Sequence, residues 1–148
     1  MPKERDPAAL PHTAERLHSL AVRLLRRARV ADRATGVGPA QLSALSVLYF
    51  SEGLSLTALA DAEQVAQPTM TRIVNALVGA RLARRIPSPA DRRMQLVVIT
   101  SAGRRLFEAA RKRRLTIVQE ILGRLDAQSL ATLAPLVEEV LAVVNAPE

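Results

Sequence analysis

Apolar residues recur at intervals of three and four along almost the whole chain, and the one clear interruption is a pair of short, partly β-branched segments around a proline- and arginine-rich loop. A spacing of three and four is the signature of an amphipathic helix, whereas a short run rich in branched residues favours a strand. The chain is therefore expected to be mainly α-helical with a single small β element. Ala and Leu dominate and aromatic residues make up only 2% of the sequence, which agrees with helical packing. At 148 residues the length suits one folding unit, 1–148.

Residues 1–12 contain three prolines and read as an arm. A first helix is expected from Thr13, with Leu17, Leu20, Ala21, Leu24, Leu25 and Ala28 forming one apolar stripe. Gly36, Gly38 and Pro39 break it. A second helix, from Pro39 to Ser51, turns Leu42, Leu45, Leu48 and Tyr49 inward. Ser55 caps a short third helix over Leu56–Glu63, a turn spans Gln64–Ala66, and a fourth helix with Pro68 in its first turn runs to Ala80. Two short helices joined by a tight turn form a helix-turn-helix candidate.

The fourth helix divides its labour. Met70, Ile73, Val74 and Leu77 occupy one side, while Gln67, Thr69, Thr71, Arg72 and Asn75 leave a polar face. Such side chains can read a major groove: Gln and Asn pair with adenine, Arg with guanine, and Thr with phosphate or a thymine methyl. Next, Leu82–Ile86 and Gln95–Thr100 flank Pro87-Ser88-Pro89-Ala90-Asp91-Arg92-Arg93, a β-hairpin with a positive tip. An arginine on an extended hairpin suits a narrow minor groove, where negative potential is concentrated.

Charge supports the same reading. Residues 72–114 hold twelve Arg or Lys against Asp91 and Glu108, a local charge of +10 in a chain whose net charge is +7. A localised basic stripe is what phosphate neutralisation requires. A long helix is then expected from Thr100 or Ser101 to Leu125 and a last one from Asp126, kinked at Pro135. The last helix is rich in Leu and Val, and this much apolar surface calls for a second copy of the chain. The first helix and the two C-terminal helices, 1–35 and 101–148, are expected to form that dimer around a DNA-binding lobe at 39–100.

Other functions find little support. The two histidines, His12 and His18, lie six apart and do not stack as a paired metal site, and no phosphate loop, nucleophile elbow or metal motif occurs. No enzyme, cofactor or metal is expected. Cysteine is absent, which removes disulfides and thiol sensing. The uncharged apolar runs fall short of the ~20 residues of a bilayer span, so a cytoplasmic protein with no membrane partner is expected. The alternative is a basic helical module around Arg104–Arg114 that binds a membrane surface or acidic proteins, but the other arginines belong to separate elements. Single-strand or RNA binding would use exposed stacking aromatics, and Tyr49, Phe50 and Phe107 all fall at core-like positions.

The order of elements over residues 13–145 resembles the MarR family of winged helix-turn-helix transcriptional regulators. Asp91-Arg92-Arg93 followed by Val98-Ile99-Thr100 and Gly103 resembles the family's wing signature, and Pro68-Thr69-Met70-Thr71-Arg72-Ile73-Val74 with Leu77 is similar to its recognition helix. The resemblance implies a homodimer that binds a pseudo-palindromic duplex, most often as a repressor. By resemblance Thr69, Thr71 and Arg72 would contact bases or phosphates, Arg92 would enter the minor groove, and Asp91 with Arg93 would shape the wing. It also implies release by a small aromatic or lipophilic effector between the dimer helices and the DNA-binding lobe, with His12, His18, Arg23, Tyr49 and Phe107 as candidate contacts. One departure stands out: Arg81 occupies the place after the recognition helix where the family usually has Gly. A non-glycine residue in the left-handed conformation there would be strained by about 1 kcal/mol.

Overall fold

The computed structural model describes residues 9–146 and divides into two compact units, Met1–Arg114 and Leu115–Glu148. Its elements are α1 (Ala9–Asp32), α2 (Pro39–Tyr49), β1 (Leu54–Ser55), α3 (Leu56–Ala62), α4 (Gln67–Gly79), β2 (Ala83–Pro87), β3 (Gln95–Ile99), α5 (Ser101–Leu122) and α6 (Ala127–Asn145), with one 3-10 turn at Arg33–Thr35. This is a winged helix, mainly α with a small antiparallel sheet.

The core of the first unit gathers Ala44, Leu45 and Leu48 of α2, Leu59 and Ala60 of α3, Met70, Val74 and Leu77 of α4, and Leu82, Ala83, Val97 and Ile99 of the sheet region. Leu42, Leu45, Leu48, Leu59, Met70, Val74 and Leu77 are essentially inaccessible to solvent. Burial of each large side chain contributes about 1.5–3 kcal/mol before entropy is charged against it. The α4 residues 70, 74 and 77 form the inner stripe, so the helix's polar residues are left facing outward.

Helix ends follow local chemistry. Pro39 stands at the first position of α2, and Gln41 Oε1 accepts from the Gly38 N–H at 2.7 Å. Ser55 Oγ accepts from the Ala58 N–H at 3.1 Å and caps α3. The turn between α3 and α4 is a Schellman motif: Gln64 N–H donates to Asp61 O at 3.1 Å and Val65 N–H to Ala60 O at 3.0 Å, with Gln64 at φ 53°.

The sheet has the order β1-β3-β2. The expected hairpin is β2 and β3, in the register Ala83↔Ile99 through Pro87↔Gln95. Pro87 is tolerated because β2 is an edge strand. The third strand, β1, goes beyond that expectation: Leu54 pairs with Val97 and Ser55 with Leu96. Gly53 admits it, since at φ 131° a Cβ would lie 2.7 Å from Val98 Cγ1.

Several boundaries differ from expectation. Residues 1–8 of the expected arm lie outside the described residues, but α1 already includes Ala9–His12, so Thr13 is inside the helix and does not cap it. Pro11 fits because the first helical N–H groups have no intrahelical acceptor. The α1 stripe is not buried within the chain: Leu17, Leu20 and Leu25 are each about half exposed, and only Asp32, at the helix end, is buried. In the second unit, Asp126 caps α6 by accepting from the Ser129 N–H at 2.7 Å, and the helix continues through Pro135. Leu130, Leu136, Val137, Val140, Leu141, Val143 and Val144 of α6 are all exposed. At 19 residues, α6 also meets the length and composition of a membrane span. It does so despite Glu138 and Glu139 at its middle, and one such helix is weak grounds for a membrane segment.

Candidate nucleic-acid interface

The polar face of α4 is where its apolar spacing places it. Gln67, Thr69, Arg72 and Asn75 are exposed and Thr71 is half-buried. At 100° per residue, Arg72 lies near the centre of the outward face, with Thr69 and Asn75 to either side. Three of these residues are already engaged within the chain. Thr71 Oγ1 donates to the Gln67 carbonyl at 2.9 Å, Gln67 Nε2 donates to Thr57 Oγ1 at 2.6 Å, and Asn75 Oδ1 accepts from Arg85 Nη2 at 2.7 Å. Thr57 and Arg85 therefore join the site as residues that the motif reading missed. Their only sequence signal was polarity on neighbouring elements; Arg85 belongs to the basic stripe, which names no partner for it.

The wing tip is a hydrogen-bonded β-turn. Met94 N–H donates to the Asp91 carbonyl at 2.9 Å, which makes Arg92 and Arg93 the two central residues. Asp91 Oδ1 accepts from the Arg93 N–H at 3.0 Å, an Asx-turn that spends the carboxylate on the backbone and leaves it beside the arginines. Ser88 N–H donates to Met94 O at 2.8 Å and closes the loop beneath. Asp91, Arg92 and Arg93 are all exposed.

Helix α4 and the hairpin are joined by a second Schellman motif. Arg81 N–H donates to Val78 O at 2.9 Å and Leu82 N–H to Leu77 O at 2.8 Å, with Arg81 at φ 60°. The departure at this position is thus accommodated by a strained arginine and the turn itself is kept. From β3 the chain enters α5 at Thr100, whose Oγ1 accepts from the Gly103 N–H at 3.0 Å. Gly103 allows the close approach: a Cβ there would lie 2.1 Å from the Leu82 carbonyl oxygen.

The candidate effector residues do not converge. His12, His18 and Arg23 are exposed on α1, and a shallow depression is lined by His18, Ser19, Val22, Arg23 and Arg26. Tyr49 and Phe107 pack against each other with ring centroids 4.7 Å apart and planes inclined at 41°, and Phe107 is buried. Arg104 sits 5.3 Å over the Tyr49 ring, and Tyr49 Oη donates to Glu108 Oε1 at 3.0 Å. The Glu108 acceptor holds the phenol proton and raises the Tyr49 pKa above its ordinary value, with burial adding in the same direction. Phe50 corrects an expectation: it touches both rings but is 76% exposed, because it follows the last turn of α2 and points away from the core. A separate cavity of about 360 Å³ is lined by residues of α1, α2 and α5, among them Asp32, Leu42, Ser46 and Arg114. None of His18, Arg23, Tyr49 or Phe107 lines it. Among the described residues no cluster of His, Cys, Asp or Glu could hold a metal ion.

Comparison with known proteins places this arrangement among its relatives. Residues 35–94 match the model of the MarR family. An HTH-type transcriptional regulator of Mycobacterium bovis is 35% identical over 128 residues, spanning 86% of this chain and 90% of its own length. Among solved structures, the transcriptional regulator Tm0710 from Thermotoga maritima superposes with a TM-score of 0.79 at 26% identity, covering 90% of this chain and 94% of its own. A point mutant of MepR from Staphylococcus aureus, solved bound to an oligodeoxyribonucleotide, shares the fold with a TM-score of 0.69 at 18% identity, covering 90% of this chain and 98% of its own.

Proposed function

The chain belongs to the MarR family of transcriptional regulators, and from that premise we propose that it is a cytoplasmic homodimer that binds a pseudo-palindromic DNA duplex as a repressor and is released by a small molecule. The observation that carries the reading is the wing: Arg92 and Arg93 form the centre of the tip turn, and Asp91 is spent on holding that turn. Two α4 helices of a dimer would enter successive major grooves about 34 Å apart, and the wings would reach the flanking minor grooves. Thr69, Thr71, Arg72, Asn75 and Gln67 would face the major groove, and Arg92 the minor.

The exposed apolar residues of α1, and separately those of α6, support a dimer, since a monomer rarely leaves so much apolar surface in water. An aromatic or lipophilic effector would act by favouring another separation of the two α4 helices, where a coupling of about 1–3 kcal/mol changes affinity up to ~150-fold. The aromatic cluster of Tyr49, Phe50 and Phe107, in which Phe50 is the exposed ring, and the cavity beside Asp32 both offer it apolar surface. The protein is read as a binding protein and not an enzyme. A membrane or acidic-protein partner is disfavoured because the arginines are distributed over α4, β2, the wing and α5, which no single helix face collects.

A salt titration of binding to the duplex upstream of the protein's own gene, beside a shuffled duplex, tests the reading. Preference for the native duplex by ~10³ or more at physiological salt supports a specific regulator. Arg92→Ala should weaken binding to all duplexes and reduce the salt slope by about one counterion. An unchanged affinity for Arg92→Ala would remove the wing from the mechanism.

A further inference from the structure

Arg85, on β2, reaches back to α4 and holds the Asn75 carboxamide through the 2.7 Å bond from Nη2 to Oδ1. A guanidinium carries only donors, so the atom it holds has to be the carbonyl oxygen, and the carboxamide cannot turn over without losing the bond. The Gln67–Thr57 contact is different in kind, because a hydroxyl can donate or accept and so leaves the Gln67 amide free to reverse. Of the two carboxamides on the polar face of α4, only Asn75 has its orientation set by its partner.

Resting on the reading of duplex DNA by α4, we propose that Arg85 is a positioning residue that makes Asn75 a hydrogen-bond donor toward the major groove. The carboxamide is planar with oxygen and nitrogen on opposite branches, so fastening Oδ1 on the wing side leaves Nδ2 as the outward branch. An unrestrained asparagine reads adenine with both branches, accepting from N6 and donating to N7. With Oδ1 turned to Arg85 on β2, the branch presented to a base is the amide group, whose hydrogens suit guanine, with O6 and N7 side by side, or thymine O4. Cytosine presents its amino group in the major groove and is the base this arrangement rejects.

The positioning role also explains why an arginine on a strand can affect base choice without touching a base. Arg85 and Asn75 are both exposed, and neither contributes to the core. Variants at either position should therefore keep the fold, which a circular-dichroism melt checks directly.

The test selects duplexes from a randomised pool with the full-length wild type, then measures binding to every single-base change in one half-site for wild type, Arg85→Ala, Arg85→Lys and Asn75→Asp. The wild type should prefer guanine or thymine over cytosine at one position by about tenfold. Arg85→Ala frees the carboxamide and should move that position toward adenine, leaving the preferences elsewhere in place. Arg85→Lys retains a donor and should keep the wild-type preference. Asn75→Asp can still accept from Arg85 but has lost its own donor, and should turn the position toward cytosine. A wild type that discriminates, with an Arg85→Ala variant that loses affinity equally for every duplex and keeps the same profile, overturns the positioning role and makes Arg85 a phosphate contact. A wild type that discriminates among no duplexes overturns the regulator reading and this inference together.

Discussion

Thr100 Oγ1 donates to the carbonyl of Arg81 at 2.8 Å and at the same time accepts from the Gly103 N–H at 3.0 Å. One hydroxyl thus ties the left-handed turn after α4 to the first turn of α5. The Thr100 N–H reinforces the tie by donating to Leu82 O at 3.0 Å. Helix α4, the hairpin and α5 consequently meet at these three interactions, so changes at this junction should alter both stability and the placing of the wing.

Arg81→Gly should stabilise the protein. Arg81 has φ 60°, a region where a Cβ is crowded by the following carbonyl, while its backbone bonds do not depend on the side chain. Relief of strain less the entropy of a freer unfolded chain leaves a gain of about 0.5–1 kcal/mol. Thermal melting should rise by about 2–4 °C per kcal/mol gained in a chain of this size. An unchanged or lower melting point would show that the arginine side chain contributes what its backbone loses.

Gly103→Ala should do the opposite. The added methyl would lie 2.1 Å from Leu82 O and 2.8 Å from Ile99 Cγ1, and the first of these is backbone in the middle of the junction. Overpacking of this kind costs about 1–3 kcal/mol, and urea unfolding should show a lower midpoint. Because α5 would have to move away from Leu82 and Ile99 at the base of the hairpin, DNA affinity should fall as well. Retention of wild-type midpoint and affinity would mean that the contact relaxes without strain.

Arg114 grips Asp32 with two parallel bonds, Nε to Oδ1 and Nη2 to Oδ2, both 2.8 Å. Asp32 is buried, whereas the Arg114 side chain retains 35% of its exposure. Arg114→Ala strands the carboxylate and should cost about 1–3 kcal/mol, below the range for a fully buried pair because solvent reaches the arginine. The double variant Asp32→Leu with Arg114→Leu should recover much of that loss. Equal destabilisation in single and double variants, measured by urea melts, would show that the pair acts only through packing.

Acid should weaken the start of α6. The Ser129 N–H and hydroxyl on Asp126 favour its charged form and lower its pKa below the ordinary carboxylate value. A depressed pKa in the folded state contributes stability that is fully present above the unfolded value of about 3.9 and is lost as pH falls through the folded one. Asp126→Ala should therefore melt earlier than wild type at pH 7, and the gap should close as pH falls below the carboxylate range. A gap that persists at low pH would assign the effect to helix geometry and not to the charge.

Periodicity, caps and turn chemistry determined most of the architecture by themselves. The helical repeats of α2, α4 and α5, the Ser55 and Asp126 caps and the branched residues of β2 and β3 are local signals, and each element forms for reasons contained within a few residues. The polar face of α4 and the Asp91-Arg92-Arg93 tip were legible for the same reason: an inward apolar stripe fixes the outward face, and an Asx-turn needs only neighbours. Tertiary structure decided what depends on distant partners. Leu54 and Ser55 become a strand only because β3 offers an edge, and Phe50 lies outside because α2 ends one residue before it. Asp32 meets Arg114 across 82 positions, and Asn75 meets Arg85 from another element. Spacing along a chain encodes which face a side chain occupies, but a hydrogen bond between elements depends on how those elements pack, and that was decided by the shared core of α2, α3, α4 and the sheet.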